Sequence, residues 1–366
     1  MSTTTSIEWA RNADGSPGKT WNPVSGCDRV SDGCTNCYAM TMARRLKAMG
    51  ARGYDKDGHP KTSGPGFGVW LHDWDLTMPL QLRKPTRIFV NSMSDLFHKD
   101  VPDEYIARVF AVMLASERHT FQVLTKRHAR MQALVSSNAF REQVDKLAVG
   151  EYGSMHVAQY KNGWWPLPNL WLGVSVENQD WANKRIPALL RTPATVRFIS
   201  AEPLLGPVDL TRILYQGDTA YVVDALDGRY GEREPHTSFR YGMAGLEPVD
   251  WVIAGGESGP KARPMHAAWA RSLRDQCSKS RRGVPFLFKQ WGEYRPFWRP
   301  DTDGRPCSEP VLYVNAETGE ALPEAEVPDT GSWQGVHRLG KKKAGKELDG
   351  RTWLQTPAPT NTEPRR

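Results

Sequence analysis

A mixed α/β fold, a full or partial TIM-like (β/α) barrel with insertions, is the class that this sequence predicts, and three observations predict it. Short apolar runs alternate with stretches of helical period between Arg87 and Phe288. The first run is not followed by the Gly-x-Gly-x-x-Gly turn of a dinucleotide-binding sheet. Each run closes on polar or small residues, as strands of a parallel barrel do where ligands sit.

Taken in order, residues 1–21 read as an irregular lead-in. A loop, Asn22 to Ala39, follows and opens into a helix over Tyr38–Met49, with Arg44, Arg45 and Lys47 outward and Gly50 as the stop. Residues 51–79, rich in Gly, Pro, Lys and Asp, read as a long loop. Strands are expected at 87–92, 120–125, 170–176, 196–200, 250–254 and 285–288, and helices at 102–115, 128–135, 180–190 and 267–277. Residues 207–247 break the rhythm and read as an insertion. On this reading residues 1–291 form the barrel and 292–366 a loop-rich extension, whose last ten or so residues are disordered.

The strand ends are Asn91-Ser92-Met-Ser-Asp95, Thr125-Lys126-Arg127, Ser175-Val-Glu177-Asn178, Ser200-Ala-Glu202-Pro203, Gly255-Gly256-Glu257-Ser258 and Lys289-Gln290-Trp291. Ser, Asn and Asp also cap helices, but six such ends in succession read as a ring around a mouth.

The loop holds Cys27, Cys34 and Cys37 in a C-x6-C-x2-C array, out of five cysteines in 366 residues. Thiolates so close in sequence converge readily on one metal centre. A structural zinc site is normally closed by four protein ligands, whereas a four-iron cluster on three thiolates leaves one iron open. An iron–sulfur cluster is therefore the expectation, with zinc as the rival and a fourth ligand from Cys277 or Cys307 as a variant. The odd count and the absence of a signal peptide argue against disulfides and for a reducing cytoplasm. The helix after Cys37 points backbone N–H groups and a partial positive charge at the thiolates.

No apolar run is long enough to span a membrane. A net charge of +7 and fourteen tryptophans permit contact with a nucleotide or nucleic acid without requiring it. The basic runs at 279–282 and 341–343 read as solvated surface.

Taken together, Trp21-Asn-Pro-Val-Ser-Gly-Cys27, Gly33-Cys-Thr-Asn-Cys-Tyr-Ala39, Asn91-Ser-Met-Ser-Asp-Leu-Phe97, Leu124-Thr-Lys-Arg127, Gly173-Val-Ser-Val-Glu-Asn178, Ser200-Ala-Glu-Pro-Leu204, Gly255-Gly-Glu-Ser-Gly259 and Phe288-Lys-Gln-Trp-Gly292 resemble a phage- and prophage-associated family of unassigned function, related to radical S-adenosylmethionine proteins. The resemblance runs from about Ser6 to Pro357. It implies a [4Fe–4S] cluster on the three cysteines and S-adenosylmethionine on the open iron, cleaved reductively to start hydrogen abstraction. Under it the cofactor-binding residues are Tyr38, Asn91, Ser92, Ser200, Glu202, Gly255, Gly256, Glu257 and Ser258, with Glu257 favoured for the methionine amine. Asp95, Lys126, Arg127, Glu177, Asn178, Lys289, Gln290 and Trp291 are left for substrate. Implied partners are an external electron donor and a separately encoded three-Cys-motif protein. Three features depart from the radical pattern: the first cysteine gap is longer than usual, Asn36 stands where an aromatic normally precedes the third cysteine, and Gly255-Gly256-Glu257 follows a late strand rather than the second, which keeps Glu202 and Ser200 as rivals to Glu257. Two other classes stay open, a nucleic-acid-binding protein with a structural metal, and a metal-independent hydrolase using Asp95, His98 and Glu177.

Overall fold

The computed structural model describes residues 3–154, 165–215, 221–232, 240–241, 246–297 and 311–358. Among them an eight-stranded sheet is made of β1 (Thr3–Thr4), β2 (Lys19–Trp21), β3 (Arg87–Val90), β4 (Thr120–Thr125), β5 (Leu170–Ser175), β6 (Val196–Ala201), β7 (Trp251–Gly255) and β8 (Phe286–Gln290), in that spatial order. The edge strand β1 runs antiparallel to β2, whereas β2–β3, β3–β4, β4–β5 and β7–β8 pair in parallel. Chain order and spatial order coincide, so the sheet lacks the reversal that marks a doubly wound fold. The order has two ends, and among the described residues the sheet does not close into a full barrel. The expected α/β class with a parallel sheet is thus found.

The chain divides into two compact units, residues 1–174 with 188–198 and 357–366, and residues 175–187 with 199–356. In the first unit, every residue of β3 is buried, as expected of a strand covered on both faces. Helices α1 (Tyr38–Ala48), α2 (Asp103–Ala115), α3 (His128–Val135) and α4 (Asn138–Gly150) belong to this unit. Pro102 presets the start of α2, and Asp103 and Glu104 fill its first turn, where the helix dipole favours acids. Ser137 caps α4 by accepting the Phe140 N–H at 3.3 Å. Phe110 of α2 meets Phe140 of α4 edge to face, with centroids 5.2 Å apart.

The lead-in is more ordered than its sequence suggests. Lys19–Trp21 joins the main sheet, and Trp9 lies buried with its ring 4.5 Å from Phe89. A three-residue strand carrying one large apolar side chain shows no alternation to read. Helix α4 was likewise not foreseen.

In the second unit lie α5 (Gln179–Arg191, as far as Pro187) and α6 (Ala267–Lys279). The insertion forms an antiparallel sheet of Ile213–Leu214, Tyr221–Asp224, Arg229–Glu232 and Arg240–Tyr241. The stretch expected to be loop-rich carries a second antiparallel sheet, of Tyr294–Pro296, Trp333–Arg338, Val311–Asn315 and Ala321–Pro323 in spatial order. Polar residues and glycine interrupt these strands, as in Trp333-Gln-Gly-Val-His-Arg338, which hid them. Cys307 and the chain beyond residue 358 lie outside the described residues. Among the described residues no helix is long and apolar enough to cross a membrane.

Candidate functional site

The cysteine loop is fixed by backbone before side chains enter. Val24–Ser25 pairs antiparallel with Trp70–Leu71. Gly26 follows at φ +85°, and a Cβ there would stand 2.2 Å from Gly68 O, so only glycine turns the chain at this point. Gly26 N donates to Met93 O (3.1 Å) and Cys27 N to Phe67 O (3.2 Å). A 3₁₀ turn over Asp32–Cys34 carries Cys34, Cys37 N donates to Cys34 O at 3.3 Å, and Cys37 then stands as N-cap of α1. Beneath lies a small apolar cluster of Ala39, Ala43, Tyr54, Phe67 and Met93, against which Cys27 and Cys37 pack.

All three cysteines are unbridged and half-buried. Burial, reinforced by the charge of Asp95, pushes the Cys27 thiol up to about 12, while Arg127 pulls the other way. The Arg127 Nη1 donates to Cys27 Sγ at 3.2 Å and lies 3.3 Å from Asp95 Oδ2, and its Nη2 donates to Asp28 O at 3.3 Å. Burial also raises the Cys37 thiol, opposed by the Met40 and Ala39 backbone N–H groups and by Lys126. The charge of Cys34 bears on both neighbours. Anionic sulfur at Cys27 and Cys37 is therefore offset by Arg127, Lys126 and a helix N-terminus.

The donor set discriminates between metals. A single tetrahedral zinc would hold thiolate sulfurs about 3.8 Å apart, from two bonds of about 2.3 Å. Among the described residues, the His, Cys, Asp and Glu group whose ligand atoms all lie within 4.8 Å of one another is Asp28, His98 and Asp100, not the three thiols. At least one pair of the three sulfurs therefore lies more than 4.8 Å apart, farther than one tetrahedral zinc would hold them.

In the Asp28 group both imidazole nitrogens are already used. Asp100 N donates to His98 Nδ1 at 3.2 Å, which leaves the proton on Nε2, 3.1 Å from Asp28 Oδ2. Burial, then Arg127, pushes the His98 imidazole down, so it stays neutral. Burial would raise the Asp28 carboxyl, but the Ser63 and Thr62 hydroxyls and His98 hold it below the usual range. We read these residues as the brace that fixes the residue after Cys27.

Five predicted residues, Asn91, Ser92, Asp95, Lys126 and Arg127, stand at the strand ends of this unit. Asp95 is buried, and its oxygens accept from Thr125 Oγ1 (2.7 Å), Phe97 N (3.0 Å) and Lys126 N (3.0 Å) besides Arg127. It ties one strand end to the next rather than facing a substrate. Ser92 Oγ donates to Asn22 Oδ1 at 3.1 Å, and the Tyr38 hydroxyl donates to Ser92 O. Asn91, at the end of β3, has φ +61°, and neither atom of its buried amide meets a hydrogen-bond partner.

The second unit carries the other predicted residues. Lys289 Nζ lies 2.8 Å from Glu202 Oε1, and both side chains are mostly buried. Gln290 Nε2 donates to Glu202 Oε1 (3.3 Å) and Ser258 Oγ (3.2 Å). Gly255 backs onto the Glu202 carboxyl, and a Cβ at Gly256 would meet Trp291 O at 1.9 Å. So Glu202, Gly255, Gly256, Ser258, Lys289 and Gln290 are brought together. Glu257, favoured from sequence, takes Arg263 Nε (2.9 Å), Nη2 (2.7 Å) and backbone N (2.8 Å). Arg263 thus answers the charge of Glu257, a pairing between loop residues that no spacing reveals. Glu177 is fully buried with Arg185 Nη1 at 2.8 Å, Asn178 Oδ1 accepts from Trp181 N at 3.1 Å, and Trp291 is core. Their geometry is structural, and the Asp95–His98–Glu177 hydrolase loses its support, because each group is committed elsewhere. Ser200 is buried, its carbonyl accepting from Val176 N at 2.9 Å. Cys277 is buried on α6, its thiol pushed up to about 12 by burial, and behaves as packing. A cavity of about 560 Å³ in this unit, lined in part by Asp224, Arg229, Arg271, Asp275 and Lys279, includes none of the predicted residues.

Residues 4–357 match the model of the family described as Protein of unknown function (DUF5131), and the chain belongs to that family. No curated protein and no solved structure matches the chain.

Proposed function

We propose that this family member is an iron–sulfur enzyme of the radical S-adenosylmethionine kind, built on a partial (β/α) barrel. A [4Fe–4S] cluster would be held by Cys27, Cys34 and Cys37, and the substrate would be a nucleotide or nucleic-acid base. The observation that carries this reading is the loop itself, three unbridged thiols farther apart than one tetrahedral zinc would hold them and faced by cationic groups. When bound, such a cluster supplies an electron to the sulfonium and an open iron for the methionine amino and carboxylate groups.

The chain's own residues have definable tasks in this scheme. With its thiol near 12, Cys27 gives up a proton only as metal binds, so loading is coupled to proton release. Arg127 then takes the sulfur as partner while Asp95 holds the guanidinium in place. In the second unit, Glu202 pairs with Lys289, whereas Arg263 occupies the oxygens of Glu257. The basic, tryptophan-rich composition supports a nucleotide or nucleic acid as substrate, and an external protein would deliver the electron.

The test is product release. Anaerobically reconstituted protein is incubated with S-adenosylmethionine and dithionite, and 5′-deoxyadenosine and methionine are measured by mass spectrometry. Both should form with the wild type and neither with Cys34→Ala. Their absence from a fully loaded wild type would refute the reading.

A further inference from the structure

We infer that Asn91 reads the hydrogen-bonding edge of a bound adenine, an assignment that rests on the S-adenosylmethionine reading above. Asn91 is 4% exposed, and its Oδ1 and Nδ2 are both buried without a hydrogen-bond partner. Buried amides are nearly always satisfied, because an unmade bond leaves the cost of desolvation uncompensated. Its backbone sits at φ +61°, in the left-handed region that asparagine adopts more readily than most residues. Unmet polarity at the C-terminal end of a parallel strand, where ligands bind, marks a residue kept for something other than the fold. On the next strand, Gln122 pairs in register with Phe89, two residues before Asn91. Its side chain is fully buried, and its Oε1 likewise lacks a partner.

The position is tied to the cysteine loop. Gly26 N donates to Met93 O (3.1 Å), Ser94 Oγ to Val24 O (2.7 Å), and Asn22 Oδ1 accepts from Met93 N (3.1 Å). The pattern of unmet groups selects the ligand chemistry. An anion would satisfy only Nδ2 and a cation only Oδ1. A planar edge with a donor beside an acceptor satisfies both, and adenine presents that pair at N6 and N7, the edge an asparagine amide binds with two hydrogen bonds. The amide is covered in the structure, so a ligand must displace its cover.

The adenine could belong to S-adenosylmethionine or to an adenine-containing substrate, and the test separates them. Calorimetry would measure adenosine and inosine binding to the metal-free chain, and S-adenosylmethionine binding to the reconstituted protein, for wild type, Asn91→Gly and Asn91→Asp. Inosine replaces the N6 donor with an acceptor. We expect the wild type to prefer adenosine over inosine, and both variants to lose roughly ten- to a hundredfold in adenosine affinity. Equal losses for S-adenosylmethionine would place the cofactor's own adenine there, and a loss for adenosine alone would place a substrate's. Asn91→Gly should melt at or above the wild-type temperature, since glycine adopts this conformation without strain; Asn91→Asp preserves the shape should glycine loosen the turn. Variants binding both probes within about twofold of wild type, or a wild type indifferent to inosine for adenosine or binding neither, would overturn the assignment. A wild type that selects adenosine through Asn91 yet ignores S-adenosylmethionine would leave the assignment standing and sink the radical reading instead.

Discussion

Replacing Asp95 with alanine is expected to cost the first unit about 3–5 kcal/mol, the range for removing one partner of a buried ion pair. The residue is 5% exposed, and its carboxylate holds Arg127 Nη1 at 3.3 Å, Thr125 Oγ1 at 2.7 Å, and the Phe97 and Lys126 backbone N–H groups, each at 3.0 Å. Alanine leaves a largely buried guanidinium and three donors without their acceptor, and the loss is a large share of the stability an ordinary domain possesses. Asp95→Asn keeps the volume but turns one acceptor into a donor facing Lys126 N and Arg127, so it should fall short of the alanine loss while remaining clearly destabilising. The same carboxylate also pushes the Cys27 thiol up, so removing its charge should move Cys27 alkylation to lower pH. Urea denaturation gives the first quantity. The pH profile of iodoacetamide labelling at Cys27, taken on Asp95→Asn well below its melting temperature, gives the second. A loss below about 1 kcal/mol for Asp95→Ala, or a labelling profile displaced to higher pH, would refute the keystone role.

Other perturbations follow from the same geometry. Arg127→Gln removes the donor 3.2 Å from Cys27 Sγ, so the pH midpoint for metal loading should rise, seen in iron content of protein reconstituted across a pH series. Burial pushes the His72 and His266 imidazoles from 6.5 down to about 4, so the unfolded chain takes up these protons first. Stability should be full above about pH 6.5 and fall as pH drops toward about 4, by about 3 kcal/mol per histidine; His72→Asn should flatten its share of the acid melting curve. Gly256→Ala places a methyl 1.9 Å from Trp291 O and should cost about 4 kcal/mol or more, whereas Gly150→Ala, with open space around the added carbon and no positive φ, should cost far less in the same denaturation assay.

The sequence exposes the parts of this fold that repeat. Strands such as β5 and β7 are short, almost wholly apolar and followed by helical periods, so their place in a parallel sheet is readable. Lys19–Trp21 and the strands of 294–338 escape because they are short or interrupted, and their pairing is decided by residues far along the chain. The same limit governs the site. Three cysteines in one loop and a succession of polar strand ends are the site features that spacing makes visible. Which ends carry ligands is a matter of pairing: Arg185 claims Glu177 and Arg263 claims Glu257, while Glu202 is left with Lys289 and Gln290. Asp28 and His98, seventy residues apart, brace the loop in a way no spacing encodes.

Iron and sulfide quantitation of the anaerobically reconstituted chain, with EPR of its reduced form before and after addition of S-adenosylmethionine, bears most directly on the central claim. The account expects about four irons per chain, lost in the Cys27→Ala, Cys34→Ala and Cys37→Ala variants, and a spectrum that changes when the sulfonium compound is added. One zinc per chain, or a cluster spectrum indifferent to S-adenosylmethionine, would contradict it.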